Sequence, residues 1–275
     1  MEPTKERSTW MPPVWGERTL LMGILNATPD SFSDGGLFFE PESALAQIEA
    51  MVADGADFID IGAESTRPGA EPITAYEEIA RLDPILKALV GNTSVPISVD
   101  TYKASVAQHS LEMGVDLIND VWGFQYDPAM AETVASFDAG AILMHNARGE
   151  PVEGDVISAI QRFLEKSVFL ATSAGIKESK IILDPGIGFG MTVEQNLTIL
   201  RRVSELKSLG FPILLGASRK SVIGKTLDLP VDQRLEGTLA TTTVGVQQGV
   251  DIIRVHDIEA NRRTIQMAEA IYRHG

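Results

Sequence analysis

One recurrence constrains this chain more than any other feature. Eight times, a short apolar run ends at a polar or Gly-rich turn, and a stretch with helical spacing follows. The runs are Leu20–Leu25, Phe58–Ile61, Pro96–Val99, Asp116–Ile118, Ala141–Met144, Lys180–Leu183, Ile213–Leu215 and Asp251–Val255. Short continuous apolar runs read as strands buried on both faces, as in parallel sheets. Between them, apolar residues fall three and four apart. Ala44, Leu45, Ile48, Met51 and Val52 form one stripe, and Ile79, Leu82, Ile85, Leu86 and Leu89 a second. Ile160, Phe163, Leu164, Val168 and Leu170 form a third, less regular one. Gly55, Gly91, Gly114, Gly140, Gly175, Gly210 and Gly249 each stand shortly before the next run, where helix stops belong. Alternating strand and helix require parallel pairing through right-handed crossovers. Eight such units predict an α/β chain closed into a (β/α)8 TIM barrel, with an open doubly wound sheet as the alternative.

The length of 275 residues suits one such domain. Nothing like a linker interrupts the series, so residues 19–275 read as the barrel and residues 1–18 as a weakly structured lead-in. Trp10 and Trp15 in that lead-in are expected to pack on the surface. Thirty-eight Asp and Glu against 23 Lys and Arg leave a net charge of −15. That balance opposes nucleic acid and anionic membrane as partners. An anionic small substrate would need a local patch of positive charge. The absence of cysteine removes disulfides, thiolate zinc sites and a Cys nucleophile. No apolar run approaches the ~18 residues of a membrane span, and the polar, Pro-rich Met1–Arg18 stretch has no leader-like apolar centre. A soluble cytoplasmic protein is the expectation.

The ends of the runs carry the polar residues. The first leads into Asn26 and on to Asp34-Gly-Gly, the second into Glu64-Ser-Thr-Arg67-Pro-Gly. The third ends in Asp100-Thr101, the fourth in Asn119-Asp120, and the fifth in Met144 before His145-Asn146. The sixth ends in Asp184-Pro-Gly-Ile-Gly-Phe-Gly190, the seventh in Ser218-Arg219-Lys220, and the eighth in Arg254-Val-His256. An Asp or Asn at one strand end is ordinarily a cap or turn residue. Polar residues at all eight ends are explained together by a site at the C-terminal mouth of a barrel. Lys220, Arg254 and His256 belong to the seventh and eighth runs, where barrels often bind phosphate. Asp100, Asn119 and Asp184 offer acceptors and an amide suited to a flat heterocycle with several N–H donors. Together they point to a phosphorylated or diphosphorylated cyclic substrate.

Four segments closely resemble dihydropteroate synthases: Gly23-Ile-Leu-Asn26-Ala-Thr-Pro-Asp30-Ser-Phe-Ser-Asp34-Gly-Gly, Asp60-Ile-Gly-Ala-Glu-Ser-Thr-Arg67-Pro-Gly, Asp184-Pro-Gly-Ile-Gly-Phe-Gly190 and Gly216-Ala-Ser-Arg219-Lys220-Ser221. Ser98-Val-Asp-Thr101, Ile118-Asn-Asp120 and Arg254-Val-His256 add to them, so the resemblance spans residues 23 to 256 in the family's order. It implies a (β/α)8 barrel that condenses 6-hydroxymethyl-7,8-dihydropterin diphosphate with p-aminobenzoate, releasing pyrophosphate, in folate synthesis. By the same resemblance, Asp100, Asn119, Met144, Asp184 and Lys220 would hold the pterin. Asn26, Arg254 and His256 would hold the diphosphate, with Asn26 also touching Mg²⁺. Thr66, Arg67, Pro68, Phe189 and Ser221 would shape the p-aminobenzoate pocket. Asp100, Lys220, Asp34 and Arg67 would be the catalytic set, the segments around Asp34 and Arg67 closing over the substrates. A homodimer through the late helices, around residues 235–246 and 258–271, and sulfonamides as inhibitors are also implied.

The chain departs from the family where Met191 follows Phe-Gly in place of a common Lys, and where Asn146-Ala147 precedes Arg148-Gly149. Two other readings stand beside the synthase. One is a pterin-binding methyltransferase barrel, which would have no use for the Arg254/His256 pair or for Ser218-Arg219-Lys220. The other is a non-catalytic pterin-binding barrel, which ordinarily loses strand-end residues that this chain keeps.

Overall fold

The structure, a computed structural model, describes residues 10–27, 41–65, 71–149 and 152–273. Eight strands are formed: β1 Leu20–Asn26, β2 Phe58–Gly62, β3 Ile97–Asp100, β4 Leu117–Asp120, β5 Gly140–Met144, β6 Ile181–Asp184, β7 Leu214–Leu215 and β8 Ile252–Val255. All pair in parallel, in the order β6-β5-β4-β3-β2-β1-β8-β7. The ring closes between β6 and β7 at a single bridge, Leu183 with Ile213, beside the 2.9 Å bond from Leu183 N–H to the Pro212 carbonyl. The barrel is therefore closed, not an open sheet. Helices α1 Pro41–Ala53, α2 Ala75–Leu89, α3 Ala104–Glu112, α4 Met130–Ser136, α5 Val156–Ser173 and α6 Val193–Arg202 link the first seven strands. α7 Ser221–Leu227 and α8 Leu235–Gln247 both lie between β7 and β8, and α9 Ile258–Tyr272 ends the series. Local signals set several starts. Thr74 and Glu77 form a capping box on α2, Thr192 and Gln195 another on α6, and Asp155 caps α5.

The strand alternation sorts the core in two. Outward residues such as Leu21, Ile59, Val99, Ile118, Leu143, Leu183 and Ile253 pack under the helices. Inward residues Leu20, Met22, Phe58, Leu117, Ile142, Ile182, Leu214 and Ile252 form a separate apolar plug in the lower barrel. Two residues further along each strand, the same inward parity brings Asp60, Asp100, Asn119, Met144, Asp184 and Arg254. Asn26, Asp100, Asn119 and Asp184 are thus the last residues of their strands or next to last, not turn residues beyond them.

Two expectations are corrected. Trp10 does not lie on the surface. It is 5% exposed and joins the plug, its ring 6.4 Å from that of Phe58. Trp15 is only partly buried against the same cluster. Gly140 does not stop a helix. The other six flagged glycines have φ between 74° and 103°, as helix stops require, but Gly140 is the first residue of β5. A Cβ there would lie 2.7 Å from Trp10 Cζ3 and 2.9 Å from Leu117, so this glycine makes room for the tryptophan.

Candidate active site

The upper barrel interior gathers charge. Asp60, wholly buried on β2, accepts from Arg254 Nε at 2.6 Å and from Asn119 Nδ2 at 3.0 Å, both through Oδ2. Arg254 Nη2 donates to Asp100 Oδ2 at 3.0 Å. On the far side, Asp184 Oδ1 accepts the Gly186 N–H at 2.7 Å, and Lys220 Nζ donates to the Ile187 carbonyl at 2.6 Å. A Cβ on Gly216 would lie 3.7 Å from both Asp184 Oδ2 and Lys220 Nζ and 3.9 Å from Arg254 Cβ, so these three groups converge above it. Three carboxylates and two cations share this space.

Burial shapes their titration. Desolvation raises the Asp100 and Asp184 carboxyls above the usual range, opposed by Arg254 for the first and by Lys220 and the Gly186 N–H for the second. Desolvation lowers Lys220 to about 8, with Asp184 pulling the other way. Burial also works against the charge of Arg254, but Asp60, Asp100 and Asp184 outweigh it and hold the guanidinium above its ordinary value.

A wall of aromatic and apolar side chains adjoins this cluster. Met144, Val121 and Phe189 pack together with Tyr102 and Trp122 against them. Lys220 Nζ lies 4.8 Å from the Phe189 ring centre and the Arg148 guanidinium 4.5 Å. Phe189 is presented by the loop after β6, which docks onto the β5 loop through the Ala147 N–H and the Phe189 carbonyl at 3.2 Å. Asn146, one of the departures from the family pattern, braces that loop. Its Nδ2 donates to the Val121 carbonyl and its Oδ1 accepts the Arg148 N–H.

At the β7 and β8 ends, Ser218 Oγ accepts the His256 N–H at 3.3 Å and lies 2.9 Å from His256 Nδ1. Which of the two donates in the Oγ–Nδ1 bond depends on the His256 tautomer. Asn26, half-buried at the end of β1, lies on the strand next to β8. Ser221 is exposed at the first turn of α7. Arg219, at a φ of 55°, is held by a bidentate pair with Asp257, by its N–H on Thr238 Oγ1 and by Arg234 on its carbonyl. This fixes the turn from which Lys220 departs.

The structure therefore brings Asp100, Asn119, Met144, Asp184, Phe189, Lys220 and Arg254 to one space, with Asn26, Ser221 and His256 at its rim. Asp34, Thr66, Arg67 and Pro68 lie outside the described residues. Sequence reasoning missed Asp60 and Ser218 as partners of site residues. Asp60 did carry signals, since it is a carboxylate inside an otherwise apolar run and opens one of the four segments that resemble the family. Asp120 beside Asn119 belongs to the scaffold. Burial pushes its carboxyl up to about 7 while it accepts the Trp122 and Phe124 N–H groups. Among the described residues no three His, Asp or Glu side chains converge as a metal cage. A single amide at Asn26 suits Mg²⁺ only in its usual mode, held mainly by substrate phosphates and water.

Comparison with known proteins accords with this geometry. The family model described as pterin binding enzyme matches residues 22–256. The dihydropteroate synthase of Clostridium beijerinckii is 49% identical over 259 residues, covering 94% of this chain and 96% of that protein. A solved dihydropteroate synthase from Clostridium difficile, in the presence of pteroic acid, superposes with a TM-score of 0.91 at 50% identity, covering 94% of this chain and 98% of that one. The Xanthomonas albilineans dihydropteroate synthase with 4-aminobenzoic acid superposes with a TM-score of 0.88 at 38% identity, covering 93% and 94%.

Proposed function

The chain belongs to the pterin-binding enzyme family, among its dihydropteroate synthases, and we propose that its upper barrel condenses 6-hydroxymethyl-7,8-dihydropterin diphosphate with p-aminobenzoate. The observation that carries this reading is the convergence of Asp100, Asn119, Asp184 and Lys220 on one space beside Arg254. One N–H of the Asn119 amide is taken by Asp60, which leaves Oδ1 available to a ligand as an acceptor. Asp100 and Asp184 add carboxylate acceptors, and Lys220 donates. That pattern complements a heterocycle with several N–H groups and a carbonyl.

The C–O bond between the pterin methylene and the diphosphate breaks, and its electron pair leaves with the diphosphate. Arg254 and His256 stabilise the departing charge. Asp100 and Asp184 stabilise the positive charge left on the pterin methylene. The aniline nitrogen, neutral at pH 7, adds its lone pair to that carbon and then loses a proton to solvent. It needs orientation beside Phe189 more than it needs a strong base. The substitution is therefore SN1-like. Asn26 would help to hold Mg²⁺ on the diphosphate, where the ion supplies charge neutralisation. The methyltransferase alternative gives no task to Arg254, His256 and the Ser218 turn.

A homodimer in the cytoplasm belongs to the same proposal. Met267, Ile271 and Tyr272 are exposed apolar residues on α9, which packs against α8. Among the described residues no helix is long and apolar enough to cross a membrane.

Pyrophosphate release tests the proposal. With Mg²⁺, pterin diphosphate and p-aminobenzoate, the purified protein is expected to release pyrophosphate only when p-aminobenzoate is present. Lys220→Ala and Arg254→Ala are each expected to lose at least ~100-fold in kcat/KM. Folded wild-type protein that releases none would sink the synthase reading. The same preparation should sediment as a dimer at micromolar concentration, and a monomer would remove that part alone.

A further inference from the structure

Asp60 is a charged residue where the barrel has no structural need for one. Phe58, two residues earlier on the same face of β2, fills its layer with an aromatic ring, whereas Asp60 brings a wholly buried carboxylate into the next. Burying an ion is costly, and an ion pair in a protein interior is commonly no more stabilising than apolar residues of equal volume. Asp60 Oδ1 lacks a hydrogen-bond partner, as does Ser98 Oγ on the paired residue of β3. Both of the carboxylate's hydrogen bonds run through Oδ2, and both go to residues of the proposed site.

Each bond has a chemical consequence. An Asn side chain presents either an acceptor or a donor to its ligand, depending on which way the amide is turned. The bond from Asn119 Nδ2 to Asp60 holds the amide in one of these two turns. An Arg guanidinium is a rigid planar fork. Nε on Asp60 and Nη2 on Asp100 fix the plane of Arg254. A single oxygen thus helps to orient both the amide of the heterocycle pocket and the guanidinium offered to the diphosphate.

We infer that Asp60 is a positioning residue for the pterin diphosphate, tying Asn119 and Arg254 together so that the heterocycle and the diphosphate are bound as one unit. This rests on the reading of the site given above. Asp60 touches neither substrate, so its effect travels through its two partners. Loss of the carboxylate with retention of shape is expected to weaken pterin diphosphate and to spare p-aminobenzoate, because neither of the carboxylate's two bonds goes to Thr66, Arg67, Pro68, Phe189 or Ser221.

The test compares Asp60→Asn, Asn119→Ala and the double variant for kcat, both KM values and thermal unfolding. Asp60→Asn is expected to raise the KM for pterin diphosphate about tenfold and to leave that for p-aminobenzoate within about twofold. In the Asn119→Ala background the Asp60→Asn factor is expected to shrink at least about threefold, because residues in one hydrogen-bonded network are not additive. Factors that simply multiply would overturn the inference. So would equal losses against both substrates that follow the loss of thermal stability, which a merely structural carboxylate would give. If Asp60→Asn does not fold, Asp60→Ser carries the same comparison. An inactive wild type would sink the synthase reading, whereas an active wild type with multiplying factors would sink only the role of Asp60.

Discussion

Asp60, Asp100 and Asp184 face Lys220 and Arg254 across the top of the barrel, so the cluster carries one excess negative charge when all five groups are ionised. That excess suits a ligand that arrives with N–H donors and turns cationic as it reacts. Lys220 is the group through which pH should act. Its ordinary value is near 10.5, and desolvation lowers it to about 8 in the folded chain. The ammonium is present below about 8, so kcat/KM for pterin diphosphate is expected to fall as pH rises through that value. Stability moves in the opposite direction. Between about 8 and 10.5 the unfolded chain binds more protons at this lysine than the folded one, so its contribution to stability rises with pH. An activity loss above pH 8 that comes from Lys220 is therefore not accompanied by a loss of its contribution to stability. A pH profile of kcat/KM measures it, and Lys220→Arg, which stays charged, should shift the alkaline limb upward. An unmoved limb in that variant would assign the titration to another group. At this scale most of the site was legible in the sequence, because Asp100, Asn119 and Asp184 each follow an apolar run and Arg254 stands near the end of the eighth, where barrels often bind phosphate. Asp60 holds the same next-to-last place in its run but carries no such cue, and only the closed barrel shows which side chains point inward.

Among the elements, the loop after β6 does most to shape the mouth, and its glycines are needed for contact as well as for turning. Gly190 has a φ of 81°, and a Cβ there would lie 2.4 to 2.6 Å from the backbone of Ala147 and Arg148. Gly186, at 75°, would meet the His145 carbonyl at 1.9 Å. The loop therefore lies flat against the β5 loop, and this close approach sets where Phe189 and the Ile187 carbonyl stand. Gly190→Ala is expected to destabilise the chain by about 2 kcal/mol through left-handed strain and backbone clash together. It should also raise the KM for p-aminobenzoate severalfold by displacing Phe189. Gly154 gives the control, since its φ is 73° but nothing lies within 4 Å of a Cβ there. Gly154→Ala should show only the strain, with both KM values unchanged. Denaturant unfolding and steady-state kinetics on the two variants separate the effects, and equal behaviour would mean that the docking has no part in the site. The sequence announces the glycines as turn formers, but their partners in the loop after β5 lie some forty residues away and leave no local trace.

For the whole molecule, the strand–helix alternation was legible because each unit is local, and closure followed from the count of eight units, but the place where the ring closes did not. β7 has two residues and meets β6 at one bridge, so the last contact of the ring depends on every unit before it. Trp10 is hidden for the same reason. It stands in a Pro-rich stretch without periodicity, and its partners Phe58, Leu117, Ile142, Ile182, Leu214 and Ile252 come from six different strands. It seals the lower barrel at the face opposite the mouth, where residues serve stability and not chemistry. The plug it closes supports the layer that holds Asp60, Asn119 and Arg254. Whether the lower barrel also tunes the site is thus a question about how rigidly the layers are coupled. A close-packed interior resists compression but tolerates a local void, so a cavity at the base should cost stability without moving groups two layers above. Trp10→Ala is expected to destabilise the chain by about 3 kcal/mol, the usual cost of deleting a buried aromatic ring. Trp15→Ala, only partly buried, should cost less. In both variants the KM values for pterin diphosphate and p-aminobenzoate should stay within about twofold of wild type, measured well below the lowered melting temperature. A several-fold rise in the pterin diphosphate KM of folded Trp10→Ala would show instead that the plug holds the Asp60 layer in place, and that base and mouth act as one packed column.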